Sequence, residues 1–432
     1  MTLKLKIRGG RVIDPAQGVD EVTDLFIADG VVQALGQAPD GFTPNRCLEA
    51  QGCVVTPGFV DLSARLREPG LEHKATIRSE SLAAIAGGVT TLVIPPDTLP
   101  VVDTPAVVQW LFDRAKAGGL VRLHPVGALT RGLKGQDLSE MSALKAAGCR
   151  AVSNAHHPVA NTLVLRRSLE YAASHDLLVI VRPEDPDLKD GGCAHEGPVA
   201  ARMGLKGIPY AAETVAVAQV LALIEQTGAR VHFAQISSAR AMRSIWRAQE
   251  KGFPVTADVA VHQLHLSEEA LEGFDAAYHL SPPLRTREDL EALRVAVKEG
   301  VIGSLCSDHQ PHEPDAKLDA FPATEPGIAG LETLLPLTLA LVREGVMTLP
   351  RAIQSLTQSP AEVLGLSAGT LAPGSLADIT IFDPEREWIL DDSTWRSLGG
   401  NTPYWGQTLK GRVMATLLQG QVVFDLNFGE AS

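Results

Sequence analysis

The chain has few cysteines, and their arrangement argues against a domain held together by disulfides or by a zinc ion. Only five occur among 432 residues, at positions 47, 53, 149, 193 and 306. Their number is odd, they are widely spaced, and no two of them form a C-x-x-C pair. A disulfide framework or a zinc knuckle would need paired cysteines, so neither is expected. We predict reduced cysteines that lie mostly in the core.

The chain also lacks an excess of positive charge and any long apolar run. Lys and Arg number 38 against 51 Asp and Glu, which gives a net charge of −13. Nucleic acids and anionic membranes are bound through basic patches, so neither is expected as a partner. No stretch reaches the roughly 18 apolar residues of a membrane span, and the N-terminus MTLKLKIRGG has no apolar signal region. We therefore expect a cytoplasmic protein.

What the chain has instead is a change of pattern along its length. Residues 1–55, and again residues 367–432, alternate polar and apolar residues in short pieces that are broken by Gly, Pro and Asp-Gly. This alternation is typical of strands and turns. The two ends of the chain are therefore predicted to build one small β-sandwich domain. The alternative is two unrelated β appendages.

Residues 56–366 form the middle of the chain, where short apolar runs alternate with longer stretches rich in Ala, Leu and Glu. This βα alternation over about 250 residues predicts an α/β fold, a (β/α)8 TIM barrel. A doubly wound open sheet is the alternative, but no G-x-G-x-x-G motif follows an early strand. The eight candidate strands lie within residues 54–62, 89–95, 123–129, 149–154, 177–185, 230–238, 254–264 and 303–312.

The first candidate strand leads into the sequence TPGFVDLSARLREPG at residues 56–70. This stretch resembles the first barrel strand of the dihydroorotase family, in the amidohydrolase superfamily, which has the pattern D-x-H-x-H-x-R-E-P-G. Asp61 and the LREPG run keep that frame, whereas Ser63 and Arg65 stand at the two histidine positions. Motifs similar to the family's continue along the whole chain. The resemblance implies an amidohydrolase-type barrel with a small β domain.

The resemblance also indicates where a zinc site would lie. The family binds zinc through two histidines of strand 1, an acidic group from strand 4, one histidine each from strands 5 and 6, and an aspartate from strand 8. Only the aspartate is kept here as a plausible ligand, and arginine has no lone pair to offer a metal. We therefore expect no zinc and no catalytic residue. The matching positions are Ser63, Arg65, Asn154, Arg182, Gln235 and the vestigial Asp308.

The positions that match the family's substrate pocket are changed as well. Arg67 is kept, but Asp97 replaces an asparagine that holds the carboxylate of dihydroorotate, and its charge would repel that carboxylate. A leucine and a serine replace a polar contact that precedes a Pro-Pro pair. The resemblance thus implies a vestigial pocket. Its residues are Arg67, Asp97, His262, Leu280 with the adjacent Ser281, and His312.

Asp308 would be costly as an unpaired carboxylate at the barrel mouth, the end of the barrel where the strands' carboxyl ends lie. We therefore predict that Arg65 or Arg182 pairs with it and lowers its pKa. The alternative is a surviving general base. His156 and His157 are expected to be exposed loop residues rather than a new metal site, because adjacent side chains in a loop point apart.

Three classes of function follow. The resemblance is strongest to the inactive dihydroorotase-like subunit of bacterial aspartate carbamoyltransferase. It implies a pseudo-enzyme of pyrimidine biosynthesis, needed for assembly or activity of that transferase. The partner would be the transferase catalytic chain, in a homo-dimer or a larger hetero-oligomer. The second class is an active dihydroorotase or related cyclic amidase with a rearranged metal site. The third is an anion-binding protein that uses Arg65, Arg67 and Arg182.

Overall fold

Short strands and longer helices alternate along the chain in the computed structural model, which describes residues 4–426 and 429–430. The strands of this part are β1 Lys4–Asp14, β2 Val19–Ala28, β3 Val31–Leu35, β4 Arg46–Glu49, β5 Val54–Pro57, β6 Phe59–Asp61, β7 Val89–Ile94, β8 Arg122–Pro125, β9 Gly127–Ala128, β10 Ala151–Ser153, β11 Leu178–Val181, β12 Ala194–His195, β13 Gly207–Ile208, β14 Val231–Phe233, β15 Val255–Ala260, β16 Ser304–Cys306, β17 Ile379–Ile389, β18 Thr408–Leu418, β19 Gln421–Asp425 and β20 Gly429–Glu430. Its α-helices are α1 Ile77–Ala86, α2 Pro105–Gly118, α3 Met141–Ala146, α4 Thr162–Ser174, α5 Pro186–Lys189, α6 Pro198–Met203, α7 Ala211–Thr227, α8 Ala239–Glu250, α9 Arg287–Glu299, α10 Leu334–Arg343, α11 Leu349–Leu356 and α12 Gln358–Leu364.

The barrel consists of two parallel sheets that meet at both edges. Strands β6, β7 and β8 form one sheet, and β9, β10, β11, β14, β15 and β16 form the other. Strands β8 and β9 lie in one predicted run and are separated only by Val126. The first and last strands are joined where Arg65 N–H donates to His309 O (2.9 Å) and His309 N–H donates to Ser63 O (3.1 Å). The predicted (β/α)8 barrel is confirmed.

Local capping explains where the helices between barrel strands begin and end. Helix α1 begins where the Thr76 hydroxyl accepts a hydrogen bond from Ser79 N–H, and Ser79 Oγ accepts one from Thr76 N–H in return. This reciprocal pair satisfies two backbone donors that a helix start leaves free. Helix α7 ends at Gly228, which has a φ of 64°. Glycine adopts this left-handed conformation without strain, so the chain can turn there towards β14.

The apolar run at residues 54–62 was predicted as a single strand, and that prediction is wrong. It forms two strands of different sheets, which are separated by Gly58. Strand β5 pairs with β1 and β17, whereas β6 pairs with β7. The N–H of Gly58 donates to Asp378 O (2.8 Å), and a side chain at position 58 would collide with Thr90. The run therefore links the barrel to the sheet beside it.

Both ends of the chain contribute to one sheet beside the barrel. Its strand order is β20-β19-β18-β17-β5-β1-β2-β3, and β4 pairs with β1. Strand β5 is the junction, since it runs parallel to β1 and antiparallel to β17. Leu5 and Leu25 from the N-terminal half share a buried cluster with Ile379 and Leu417 from the C-terminal half. The β-rich domain is therefore one unit and not two appendages.

Four of the predicted barrel strands are too long at their carboxyl ends, and two of these, β11 and β14, already end at Val181 and Phe233. Strand β15 ends at Ala260, and residues 261–264 form a 3₁₀ turn that carries His262. Strand β16 ends at Cys306 and does not continue to His312. Asp308 has a φ of 44°, which is incompatible with an extended strand. The residues that follow β15 and β16 are nevertheless buried, and after β16 they are mostly polar.

The helices of residues 4–426 are too short or too polar to cross a membrane.

Candidate functional site at the barrel mouth

Five of the six positions predicted from the metal ligands lie around or beside one small cavity at the barrel mouth. Each of these five follows the carboxyl end of a barrel strand. Ser63 and Arg65 follow β6, Arg182 follows β11, Gln235 follows β14 and Asp308 follows β16. All five are buried. We call the space between them the mouth cavity. Ser63, Arg65, Arg182 and Gln235 line it.

Arg65 is the central charged group of this cluster. Its Nε and Nη2 each lie 2.9 Å from Asp97 Oδ2. Its Nη1 lies 3.7 Å from Asp308 Oδ1, close enough for an ion pair but too far for a hydrogen bond. The sequence predicted Asp97 as a group that repels the substrate. In the structure Asp97 is the main partner of Arg65.

Asp308 lies within ion-pair distance of Arg65 but beyond the hydrogen-bond distance predicted for the pair, and the predicted direction of its pKa is wrong. Burial raises the pKa of Asp308 to about 6, and the nearby charges of Arg65 and Arg182 only partly offset this effect. Its carboxylate accepts hydrogen bonds from Ser63 Oγ (3.3 Å) and Gln310 Nε2 (3.1 Å). The loss of hydration outweighs the long contact with Arg65.

Arg182 is fixed by partners other than Asp308. Its Nη1 donates to Glu184 Oε2 (3.1 Å), and its Nη2 donates to Ser281 Oγ (2.7 Å). Lys189 Nζ shares the same Glu184 oxygen at 2.8 Å. Burial acts to raise the pKa of Glu184, but the charges of Arg182 and Lys189 outweigh it and lower the pKa overall. Arg182 is therefore held by an ionised carboxylate and a hydroxyl group.

Asn154 is the position that does not join the cluster. Its Oδ1 accepts hydrogen bonds from the N–H (3.1 Å) and the hydroxyl (2.8 Å) of Thr130. Its Nδ2 donates to Leu133 O (3.2 Å) and His157 O (2.8 Å). These four bonds use the whole amide to connect the loops after β9 and β10. Asn154 therefore has a structural role.

His156 takes part in the cavity, and the sequence analysis missed it. The residue was expected to be exposed, as His157 is, but it is half-buried and lines the mouth cavity. Burial and the charges of Arg65 and Arg182 lower its pKa well below the ordinary value, so the ring is neutral. Its place three residues after β10, in a barrel of this type, was the available signal.

The predicted substrate-pocket residues are occupied with one another or with the loop after β16. Arg67 Nε donates to Pro311 O (2.9 Å), and Arg67 Nη2 lies 3.0 Å from His312 Nε2. Burial and the nearby Arg65 lower the pKa of Arg67 to about 10. Burial, together with Arg67 and Lys74, lowers the pKa of His312 to about 2, so that ring is neutral.

The other two pocket positions offer little to a polar ligand. Leu280 is buried and apolar. His262 is also buried, which lowers its pKa to about 3 and keeps the ring neutral. Neither side chain supplies charge to a carboxylate-bearing substrate.

The mouth cavity is very small. Its volume is about 30 Å³, which is room for no more than a few water molecules. Pockets that bind small molecules typically measure about 300–1,000 Å³. The arginine side chains and their partners fill the space, so a ligand as large as dihydroorotate has no room in this arrangement.

The residues at the barrel mouth do not fit a zinc ion. Two of the six positions are arginines, the amide of Asn154 is fully used elsewhere, and Asp308 is the one ionisable donor. Within residues 4–426, no three His, Cys, Asp or Glu side chains lie close enough together to form a metal site. Zinc would have to displace Arg65 or Arg182 from their carboxylate partners.

Comparison with solved structures and with family models first identifies the class of fold. The fold is similar to L-hydantoinase (dihydropyrimidinase) from Arthrobacter aurescens, with a TM-score of 0.87 and 24% identity over 100% of this chain and 98% of that one. At this identity the likeness establishes the fold alone. The family model described as amidohydrolase family matches residues 257–423, and the one described as dihydro-orotase-like matches residues 52–241.

Curated relatives then define the family. A dihydroorotase-like protein of Pseudomonas aeruginosa is 51% identical over 423 residues, covering 98% of this chain and 100% of the relative. A dihydroorotase of Syntrophus aciditrophicus is 43% identical over 424 residues, covering 98% and 99%. The chain therefore belongs to the dihydroorotase-like family of the amidohydrolase superfamily.

Proposed function

We propose that this chain is a non-catalytic dihydroorotase-like protein of pyrimidine biosynthesis. In this proposal it binds no zinc and serves the assembly or activity of aspartate carbamoyltransferase. The observation that carries the loss of catalysis is the filled barrel mouth. Arg65 and Arg182 stand at two metal positions and are fixed by Asp97 and Glu184. A cavity of about 30 Å³ remains between them.

Electrostatics supports the proposed loss of zinc. At about 4 Å and an effective dielectric near 20, two unit charges interact by about 4 kcal/mol, so each arginine would repel a dication by roughly twice that amount. Moving an arginine aside would also separate it from a buried carboxylate. Both costs oppose metal binding, while the remaining donors offer little to offset them.

The substrate side supports the same proposal. An anionic substrate needs free cationic donors, but Arg67 is committed to Pro311 O and His312 Nε2. Asp97, at the other carboxylate-binding position, carries negative charge. Its pairing with Arg65 leaves neither side chain free to hold a substrate carboxylate.

Metal analysis together with an activity assay tests this half of the proposal. Protein purified in zinc-supplemented buffer is expected to hold well below one zinc ion per chain and to show no dihydroorotase turnover in either direction. A catalytic dihydroorotase treated identically is the control. Stoichiometric zinc that resists chelators, accompanied by turnover, would contradict the proposal and favour a cyclic amidase with a rearranged site.

The partner is proposed from the family resemblance and from the state of the fold. Most substitutions cost about 1 kcal/mol against a stability of about 5–15 kcal/mol, so a fold without use should erode. Here the barrel closes and both chain ends complete the second sheet. If the barrel mouth is inactive, the outer surface is what remains useful. We therefore assign the catalytic chain of aspartate carbamoyltransferase as the partner, in a large hetero-oligomer.

Co-expression with that catalytic chain tests the partner. A large stable assembly should contain both chains, and carbamoyltransferase activity should depend on this subunit. The variant His156→Leu alters only the mouth cavity, so it should support assembly as well as the unmodified chain does. If the transferase is fully active without this chain, and this chain runs alone on size exclusion, the scaffold role is wrong.

A further inference from the structure

Three buried nitrogen atoms at the barrel mouth have no hydrogen-bond partner within residues 4–426 and 429–430. They are Arg65 Nη1, Arg182 Nε and His156 Nε2. Arg65 and Arg182 are themselves buried, at 6% and 7% exposure. An unsatisfied buried polar atom costs free energy, and more so when it belongs to a charged group. Three such atoms in one place therefore call for a common explanation.

The three residues line the same mouth cavity. They reach it from three different barrel strands, since Arg65 follows β6, His156 follows β10 and Arg182 follows β11. The remaining nitrogens of both guanidinium groups are used on other sides. Arg65 Nε and Nη2 contact Asp97, while Arg182 Nη1 and Nη2 contact Glu184 and Ser281. Arg65 Nη1, which lies 3.7 Å from Asp308 Oδ1, and Arg182 Nε are the guanidinium nitrogens that remain without a hydrogen bond.

The chemistry of these atoms selects the kind of ligand. Guanidinium nitrogens can only donate, and the neutral ring of His156 donates from Nε2 in the Nε2–H tautomer. Three donors on one small space suit a group that accepts several hydrogen bonds. A water molecule accepts about two and must also place two hydrogens of its own. A monatomic anion accepts from every side and gains from both guanidinium charges.

We propose that the mouth cavity binds one halide-sized anion, chloride under cellular conditions, held by Arg65 Nη1, Arg182 Nε and His156 Nε2. The volume of about 30 Å³ is sufficient for one such ion. This site is separate from the proposed scaffold role, because neither requires the other. The nearby carboxylates already have hydrogen-bond partners: Asp97 has Arg65, Glu184 has Arg182 and Lys189, and Asp308 has Ser63 and Gln310. Asp308 Oδ1 also lies 3.7 Å from Arg65 Nη1, so the anion would share that nitrogen with a longer ion pair.

Bromide is the probe for this site in the full-length protein. In crystals soaked in sodium bromide, an anomalous difference peak is expected between the three nitrogens. In solution, the melting temperature should rise with bromide or chloride relative to gluconate at matched ionic strength, because a ligand that binds only the folded state stabilises it.

Two neighbouring histidines provide the variant and its control. His156→Leu removes one donor and should weaken apparent bromide affinity about tenfold. His157→Leu changes an exposed residue of the same loop that does not line the cavity, so it should bind bromide as the unmodified chain does. If His156→Leu does not fold, the bromide map of the unmodified protein decides alone. No peak at the cavity, or an equal rise in melting temperature with His156→Leu, would overturn the proposal.

Discussion

Replacing Arg65 with methionine should show whether the barrel mouth is held together by charge. The substitution keeps an unbranched side chain that can cover the apolar surface but removes the guanidinium group. Asp97 then loses a partner at 2.9 Å and Asp308 loses one at 3.7 Å. At an effective dielectric near 20 these pairs are worth about 6 and about 4 kcal/mol before desolvation. Arg65→Met releases the desolvation cost of the guanidinium, so a net loss of about 3–5 kcal/mol is expected.

The loss should also depend on pH. The pKa of Asp308 is raised to about 6, so this carboxyl group is largely neutral at pH 5 and largely ionised at pH 8. Arg65 acts to lower that pKa, and its removal raises the pKa further. At pH 8 the folded variant must either keep Asp308 ionised without Arg65 nearby or protonate Asp308 at a pH above its pKa. Both states cost free energy. The penalty should therefore be larger at pH 8 than at pH 5.

Urea unfolding at the two pH values measures this penalty, with the slope of the transition checked for constancy. Arg166→Met is the matched control, because Arg166 pairs with Glu170 on the exposed face of α4 (3.0 Å). Its loss should cost less than about 1 kcal/mol at either pH. If Arg65→Met also costs less than about 1 kcal/mol, or costs the same at both pH values, then the contacts of Arg65 do not stabilise the barrel mouth as described.

Three further substitutions test single features of the fold. Neutral Asp308 favours the folded state, and this contribution is fully present below pH 3.8 and lost as pH rises through about 6. Asp308→Asn cannot ionise, so the variant should be more stable than the unmodified chain at pH 8 by up to about 3 kcal/mol. Greater stability of the unmodified chain at pH 8 would contradict this. Burial raises the pKa of Glu332 to about 8, so Glu332→Gln should flatten the fall in stability between pH 5 and pH 9, as followed by urea unfolding at each pH. Gly58→Ala should destabilise by about 1–3 kcal/mol in the same measurement, because its Cβ would collide with Thr90, and an unchanged midpoint would show that the turn adapts.

Much of the architecture could be predicted because it depends on local patterns. Buried barrel strands appear as apolar runs of a few residues, and the run at 89–95 became β7 at Val89–Ile94. One of the stretches rich in Ala, Leu and Glu, ETVAVAQVLALIEQTG, forms most of α7, Ala211–Thr227. The break at Gly58 was harder to see. It depends on which neighbour each half pairs with, and those partners lie at residues 89–94 and 379–389.

The side chains of the site were predicted less well, because their directions are set in irregular backbone. Gln235 and Asp308 have positive φ values of 52° and 44°, which a strand pattern does not foretell. Asn154 turns away because Thr130, 24 residues earlier, supplies two donors to it. The pKa of Asp308 was wrong for a related reason. Sequence suggests a neighbouring charge but not the depth of burial, and here burial has the larger effect.

The structure also shows that changes which look independent in the sequence are paired. Arg65, at a position predicted from the family's metal ligands, is held by Asp97, at one predicted from its substrate contacts. Arg182, at another position predicted from the metal ligands, donates to Ser281, which is adjacent to the predicted pocket residue Leu280. If only one member of a pair were present, it would be an uncompensated charge: either arginine would be a buried cation, and Asp97 would be a half-buried carboxylate. Breaking one buried pair costs about 3–5 kcal/mol, a large part of a typical margin of about 5–15. Returning one position to a histidine would therefore strand its partner, so reversal to a metal site requires changes at both members of each pair together.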